Sequence, residues 1–245
     1  LTEFGYVKRQ PTDAYHIQRR GGRGVSGMSR REEDFASEMF VCNSHDYVLF
    51  FTNLGRVYRL KCYEVPEGSR TSKGMNIANL LPLAPEERVS SMIRVPDFEA
   101  GGYLVMVTRG GTIKRTELSA FQTARKGGVI ALSLDEGDEL AWVRLTDGDR
   151  ELVVATRKGM AIRFSESDVR PMGRTARGVK AITLAGGDEV IGMSTVRAGA
   201  LLLTVSETGY GRLSPLTDYR VQSRGGKGLL NYHVDKYGDV AAIKV

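Results

Sequence analysis

Three histidines, two cysteines and several carboxylate pairs are the side chains of this 245-residue sequence best suited to metal or covalent chemistry. Their spacing supports neither. His16, His45 and His233 are far apart, no HExxH pair occurs, and neither Cys42 nor Cys62 lies in a CxxC, so no metal site is expected. Glu86-Glu87, Asp138-Glu139 and Asp188-Glu189 are adjacent residues at turns, which read as solvated corners rather than acid/base couples. No GxxxxGK[ST] run is present to cradle a nucleotide phosphate. The cysteines read as small buried hydrophobes in a reducing compartment, and Trp142 as packing.

The chemistry that the sequence does offer is cationic. Its densest point is Gln18-Arg19-Arg20-Gly21-Gly22-Arg23-Gly24, which sets three guanidiniums among three glycines. Arginine and lysine on glycine-flanked loops bring side-chain charge and backbone N–H groups together against phosphates. Nothing resembles a recognition helix for the major groove. Aromatic residues are sparse in the basic loops, so duplex binding is expected over single-strand stacking.

An internal repeat positions these loops. Ser or Thr, two residues and an anchor glycine recur at Thr2–Gly5, Thr52–Gly55, Thr108–Gly111, Thr156–Gly159 and Ser206–Gly209. A second glycine after a basic loop follows at Gly24, Gly74, Gly127 or Gly128, Gly178 and Gly228. Short apolar runs (47–52, 103–108, 151–156, 200–205) lead into the last four anchors, the first repeat lacking most of its leading strand, and a second strand leaves each anchor, as in a tight hairpin. Third runs such as 77–83 and 129–134, then an acidic turn and a fourth strand, complete each unit. The expected fold is all-β: a propeller-like disk of about five or six four-stranded blades with a period near 50 residues. Residues 1–245 form one domain, with repeats at roughly 1–46, 47–102, 103–150, 151–199 and 200–245. Arg30 to Glu38 is the best candidate for a short helical turn.

The net charge of +6 decides little, but its placement is informative. The five windows from anchor to second glycine hold 22 Lys or Arg against 7 Asp or Glu, a net of +15, while the rest of the chain carries −9. A ring would stack these windows along one track, which suits a polyanion. The candidate contacts outside the densest loop are Lys8, Arg9, Arg56, Arg59, Arg70, Lys73, Lys114, Arg115, Arg125, Lys126, Arg163, Arg174, Arg177, Arg212, Arg224 and Lys227. No apolar run is long enough to span a bilayer, and no signal-peptide core follows the basic start. A soluble chain is expected, and the start at Leu1 rather than Met suits a fragment of a longer protein.

The heptapeptide 18–24 resembles the signature box of the C-terminal domain family of DNA gyrase A. Gly5-Tyr-Val-Lys8, Gly55-Arg-Val-Tyr58, Asn79–Leu83 and Gly209-Tyr-Gly-Arg212 are similar to that family at corresponding positions. The resemblance implies a β-pinwheel with exchanged strands, a basic rim and no catalytic residue of its own. It implies that duplex DNA wraps the rim with positive handedness, the box being required, and that the holoenzyme converts the wrap into negative supercoils. The implied partners are the N-terminal breakage-reunion domain and gyrase B in a heterotetramer, in the cytoplasm. ATP and Mg are used elsewhere, and this domain itself takes no cofactor. Six blades are common in the family whereas five repeats are visible, so closure with five or with a unit missing both stay open. The alternatives are the corresponding domain of topoisomerase IV, against which the intact box argues, and a protein-binding propeller.

Overall fold

The computed structural model describes residues 1–15, 17–29 and 33–245. His16 and the first part of the Arg30–Glu38 turn lie outside the described residues. Residues 33–38 hold no helix; Ala36 instead bridges to Thr2 in an isolated antiparallel contact.

The first repeat contributes β1 (Tyr6–Val7), and each later repeat contributes four strands. The second supplies β2 (Tyr47–Thr52), β3 (Arg56–Lys61), β4 (Met75–Asn76) and β5 (Val89–Val95). The third supplies β6 (Tyr103–Thr108), β7 (Thr112–Glu117), β8 (Val129–Ile130) and β9 (Leu140–Thr146). The fourth supplies β10 (Glu151–Thr156), β11 (Met160–Ser165), β12 (Val179–Lys180) and β13 (Val190–Thr195). The fifth supplies β14 (Leu201–Ser206), β15 (Gly211–Pro215), β16 (Leu229–Leu230) and β17 (Val240–Lys244). The only α-helix among the described residues is one turn, Val234–Tyr237.

Each repeat opens on the same turn for a local reason. The hydroxyl of Thr2, Thr52, Thr108, Thr156 or Ser206 accepts the N–H of the residue after the anchor glycine. The same residue's carbonyl accepts the anchor glycine's own N–H. Two otherwise orphaned donors are thereby satisfied within the turn.

The strands of one repeat do not make one sheet. The third strand always joins the hairpin of the preceding repeat: β4 on β1, β8 on β3, β12 on β7 and β16 on β11. Of the third runs expected at 77–83 and 129–134, the first holds no strand, since Met75–Asn76 precedes it and Ile77–Asn79 is a 3-10 helix, and the second keeps only Val129–Ile130. Among the described residues β15 has no outer partner, so the last sheet has three strands, and the first has two. The expectation of four-stranded blades is thus corrected at both ends: the fourth strand of a blade comes from the following repeat.

Packing fixes inside and outside. β5 packs on β9 and β13 on β17, so the fourth strands converge centrally, and the exchanged strands with their preceding basic loops lie outermost. The core is a series of layers between blades. Leu49 and Phe51 face Met106, Phe121 and Leu132 in one layer, while Val48 and Phe50 face Ile77 and Leu81 in another. Period-two alternation buries both faces of the hairpin, which is why these strands read as unbroken apolar runs. Burying each such side chain contributes about 1.5–3 kcal/mol.

Candidate nucleic-acid interface

The loop 18–24 is exposed along its whole length. It follows a 3-10 turn (Thr12–Ala14) and folds back where Gly22 N donates to Arg19 O at 3.2 Å. Gly21 and Gly24 have φ of 84° and 69°, a left-handed backbone that side chains other than glycine adopt only with strain. Arg19, Arg20 and Arg23 are exposed, and among the described residues none of their guanidiniums meets a carboxylate or carbonyl. Three uncompensated charges therefore face solvent on one short turn.

Several cations expected to meet phosphate are instead committed internally. Lys114 is fully buried. Its Nζ donates to Ala131 O and Arg174 O at 2.5 Å and to Gly173 O at 3.1 Å. Burial, with Arg174 nearby, pulls its pKa down to about 7. Lys8, at the same offset from its anchor glycine, donates to Gly27 O, Ser69 O, Arg70 O and Ser72 O at 2.7–2.9 Å. Burial lowers its pKa as well. Neither ammonium is left for a phosphate.

The next residue in the repeat is an arginine latch between blades. Arg9 Nε donates to Val65 O, Arg59 to Gln122 O, Arg115 Nε to Val169 O, and Arg163 to Leu216 O and Tyr219 O. Carboxylates hold three of them further: Glu67 beside Arg9, Glu166 beside Arg115, and Glu151 beside Arg163. Lys8, Arg9, Arg59, Lys114, Arg115 and Arg163, expected from the sequence to meet DNA, are thus engaged within the protein. The flank they occupy faces the next repeat, whose turn carbonyls would otherwise be buried without donors.

A third group is shared between structure and surface. Arg70, Arg174 and Arg224 each donate one NH1 to a carbonyl of the preceding repeat, Ser26, Ile130 and Lys180 in turn. Arg224 also donates its Nε to Asp168 O at 3.1 Å. Lys73 sits 4.3 Å over the Tyr6 ring and Arg56 5.9 Å over Tyr58. Arg177 is exposed and pairs with Asp135 at 2.8 Å, a contact that solvent screens.

Arg125, Lys126, Arg212 and Lys227 are exposed and, among the described residues, unpaired. Arg170 and Arg220 share that condition and were not singled out from the sequence. Their signal was legible: both follow their anchor glycine at the same offset, within the basic windows.

Elsewhere the charge is compensated. Arg88 and Arg109 meet Glu139, and Arg157 meets Glu189, Glu207 and Asp239. The ammonium of Lys158, then the guanidinium of Arg157, holds the Asp239 carboxyl below its usual range. The acidic corners are also not simply solvated. Glu87 is buried and accepts Tyr58 OH at 2.6 Å and Thr52 Oγ1 at 2.8 Å. Asp138 accepts Thr108 Oγ1 and Gly110 N, fastening the anchor turn of its own repeat. Cys42 and Cys62, free thiols, lie against each other, and burial pushes Cys42 up to about 12. Trp142 packs against the layer between the third and fourth blades, as expected.

No helix among the described residues is long and apolar enough to cross a membrane. The uncompensated cations therefore sit on the outer loops of successive blades, an arrangement suited to holding a polyanion by its phosphates.

The chain is similar to known proteins along its whole length. The chain is 47% identical over 247 aligned residues to DNA gyrase A of Staphylococcus aureus (strain MRSA252), covering 99% of this chain and 28% of that protein. It thus spans less than a third of the relatives it matches. Among solved structures, the C-terminal domain of DNA topoisomerase IV superposes with a TM-score of 0.85 at 28% identity, over 100% of this chain and 76% of that one. The DNA gyrase A C-terminal domain superposes with a TM-score of 0.74 at 29% identity, over 98% of this chain and 79% of that one. The family described as DNA gyrase C-terminal domain, beta-propeller, matches residues 1–43, 46–96, 102–147, 150–197 and 200–245. With five consecutive matches along its length and the box at 18–24, the chain belongs to the DNA gyrase C-terminal domain family.

Proposed function

We propose that this chain bends and wraps duplex DNA around its outer loops, so that the gyrase to which it belongs introduces negative supercoils. The observation that carries this reading is the run of uncompensated cations on successive outer loops, from Arg19, Arg20 and Arg23 to Arg125 and Lys126, then Arg170, then Arg220 and Lys227. Carboxylates compensate the arginines of the central turns, Arg88, Arg109 and Arg157. A convex cationic rim holds duplex only by bending it, and neutralised phosphates offset the bending energy. Weak sequence preference follows, since phosphates carry no sequence.

In this reading the chain performs no bond cleavage and takes no cofactor. ATP, Mg and the cleavage tyrosine belong to the rest of the enzyme, which is a heterotetramer of gyrase A and gyrase B in the bacterial cytoplasm. The breakage-reunion domain receives the wrapped segment. The box favours gyrase over topoisomerase IV.

The test is trapped writhe. Full-length gyrase A bearing this domain, assembled with gyrase B, is bound to nicked plasmid, which is then ligated and deproteinised. Positive writhe is the expected result, lost when Arg19, Arg20 and Arg23 become Ala. Absence of positive writhe with the unaltered protein would overturn the wrapping reading. A protein-binding propeller would instead give a duplex affinity that barely responds to salt.

A further inference from the structure

We propose that Lys8 is a positioning residue for the box: its ammonium ties the segment leaving Gln18–Gly24 to the basic loop of the second blade, so that both loops meet the duplex as one unit. The inference rests on the wrapping reading above and adds to it a residue that itself touches no DNA.

Four carbonyls converge on Lys8 Nζ. One, Gly27 O, belongs to the segment leaving the box; Ser69 O, Arg70 O and Ser72 O belong to the next repeat's basic loop. Two further bonds join the same segments: Arg70 NH1 donates to Ser26 O at 2.9 Å, and Ser29 N donates to Thr71 O at 2.8 Å. Every connection lies within a few residues of Gly24, the last residue of the box.

The box needs such a tie more than its counterparts do. Gly74, Gly178 and Gly228, the second glycines of other repeats, are pressed against backbone of the preceding hairpin, with room for a Cβ only 2.4–2.5 Å from a carbonyl oxygen. A Cβ on Gly24 would have nothing within 4 Å. The other basic loops are thus located by the blade behind them, whereas the box is located by the loop ahead of it, through Lys8. A lysine can do this because its ammonium is a compact charge with three rotatable donors, able to gather carbonyls from several directions. Lys114 builds the same cage in the third blade, around Ala131, Gly173 and Arg174. The cage thus occurs at the same position of two repeats, where the other three carry Tyr58, Ile162 and Arg212.

The experiment uses full-length gyrase A assembled with gyrase B. Lys8→Met keeps the stem and removes the donors. Losing a charged hydrogen-bond hub is expected to lower ATP-dependent supercoiling about tenfold, with ATP-independent relaxation and duplex affinity unchanged. Amide hydrogen exchange should accelerate at Gly22, Ser29 and Ser72 and not in the blades beyond. Lys8→Arg should behave like Lys8→Met, since a planar guanidinium cannot meet four converging carbonyls.

Full activity of Lys8→Arg, or a salt slope of binding reduced in Lys8→Met, would make Lys8 a phosphate contact and overturn the proposal. Unchanged supercoiling, or exchange raised throughout the chain, would overturn it too. Should Lys8→Met fail to fold, Ser29→Pro removes a neutral bond of the same tie, and the proposal then stands or falls on its supercoiling loss. Arg19, Arg20 and Arg23 changed together to Ala are measured alongside. If that variant supercoils normally, the wrapping reading is what fails.

Discussion

The Nε of Arg115 donates to the carbonyl of Val169 at 2.8 Å, across the boundary between the third and fourth blades. The same bond is made by Arg9 to Val65, and Arg163 reaches Tyr219 from the equivalent position. A side chain that belongs by its charge and spacing to a phosphate-binding series is in fact a fastening between repeats. Fastening between repeats and solvent-facing charge therefore differ by position in the repeat, and the difference can be measured.

Arg115→Ala should destabilise the chain strongly. Its guanidinium also lies 3.7 Å from the fully buried Glu166 carboxylate, and removing one partner of a buried pair costs roughly 3–5 kcal/mol. Urea unfolding is the measurement. The salt dependence of DNA binding should keep its slope; a shallower slope with unchanged stability would show that Arg115 contacts phosphate.

Arg170→Ala and Arg220→Ala should do the reverse. Both are exposed and unpaired among the described residues, so stability should shift by less than about 0.5 kcal/mol. For each phosphate no longer neutralised, the slope of log affinity against log salt should fall by about 0.9. Titrations at several salt concentrations check this, and an unchanged slope would remove both residues from the rim.

Gly178→Ala and Gly24→Ala should differ sharply. Both glycines have positive φ, 100° and 69°, which costs an alanine roughly 1 kcal/mol or more. At Gly178 the new Cβ would also lie 2.4 Å from Ile113 O, and overpacking adds about 1–3 kcal/mol. Gly24 has open space and should show the conformational cost alone. Equal losses in denaturant unfolding would contradict the different surroundings of the two glycines.

The ammonium of Lys114 makes stability depend on pH. Its folded pKa is about 7 against an ordinary 10.5. Between those values the unfolded chain holds more protons, so its contribution to stability rises with pH through that window and is flat below it. The slope approaches ~1.4 kcal/mol per pH unit at most. Relative to Lys114→Met, the unaltered chain should gain stability between about pH 7 and pH 9. A difference that stays constant with pH would mean the lysine is not titrating there.

Much of the fold was legible because the repeat is written in local chemistry. Thr52 and Gly55 make their turn within four residues, and the run 47–52 is apolar because both faces of β2 are covered. The exchange of the third strand was not legible from the residues themselves. Val129–Ile130 would suit the edge of either neighbouring hairpin, and its choice of β3 over β7 is settled only by how blades stack. The buried role of Glu87 was hidden for a related reason, since Tyr58, its partner, lies 29 residues away.

The sequence by itself determined the repeat, the anchor turns, the box and the windows in which positive charge collects, because these depend on residues close together in the chain. Tertiary structure decided which of those charges remain free. Lys8, Arg9, Lys114 and Arg115 look like any other basic residues until carbonyls from loops tens of residues away close on them. A cation's availability depends on what desolvates and pairs it, and that is set by packing between blades rather than by its neighbours in sequence.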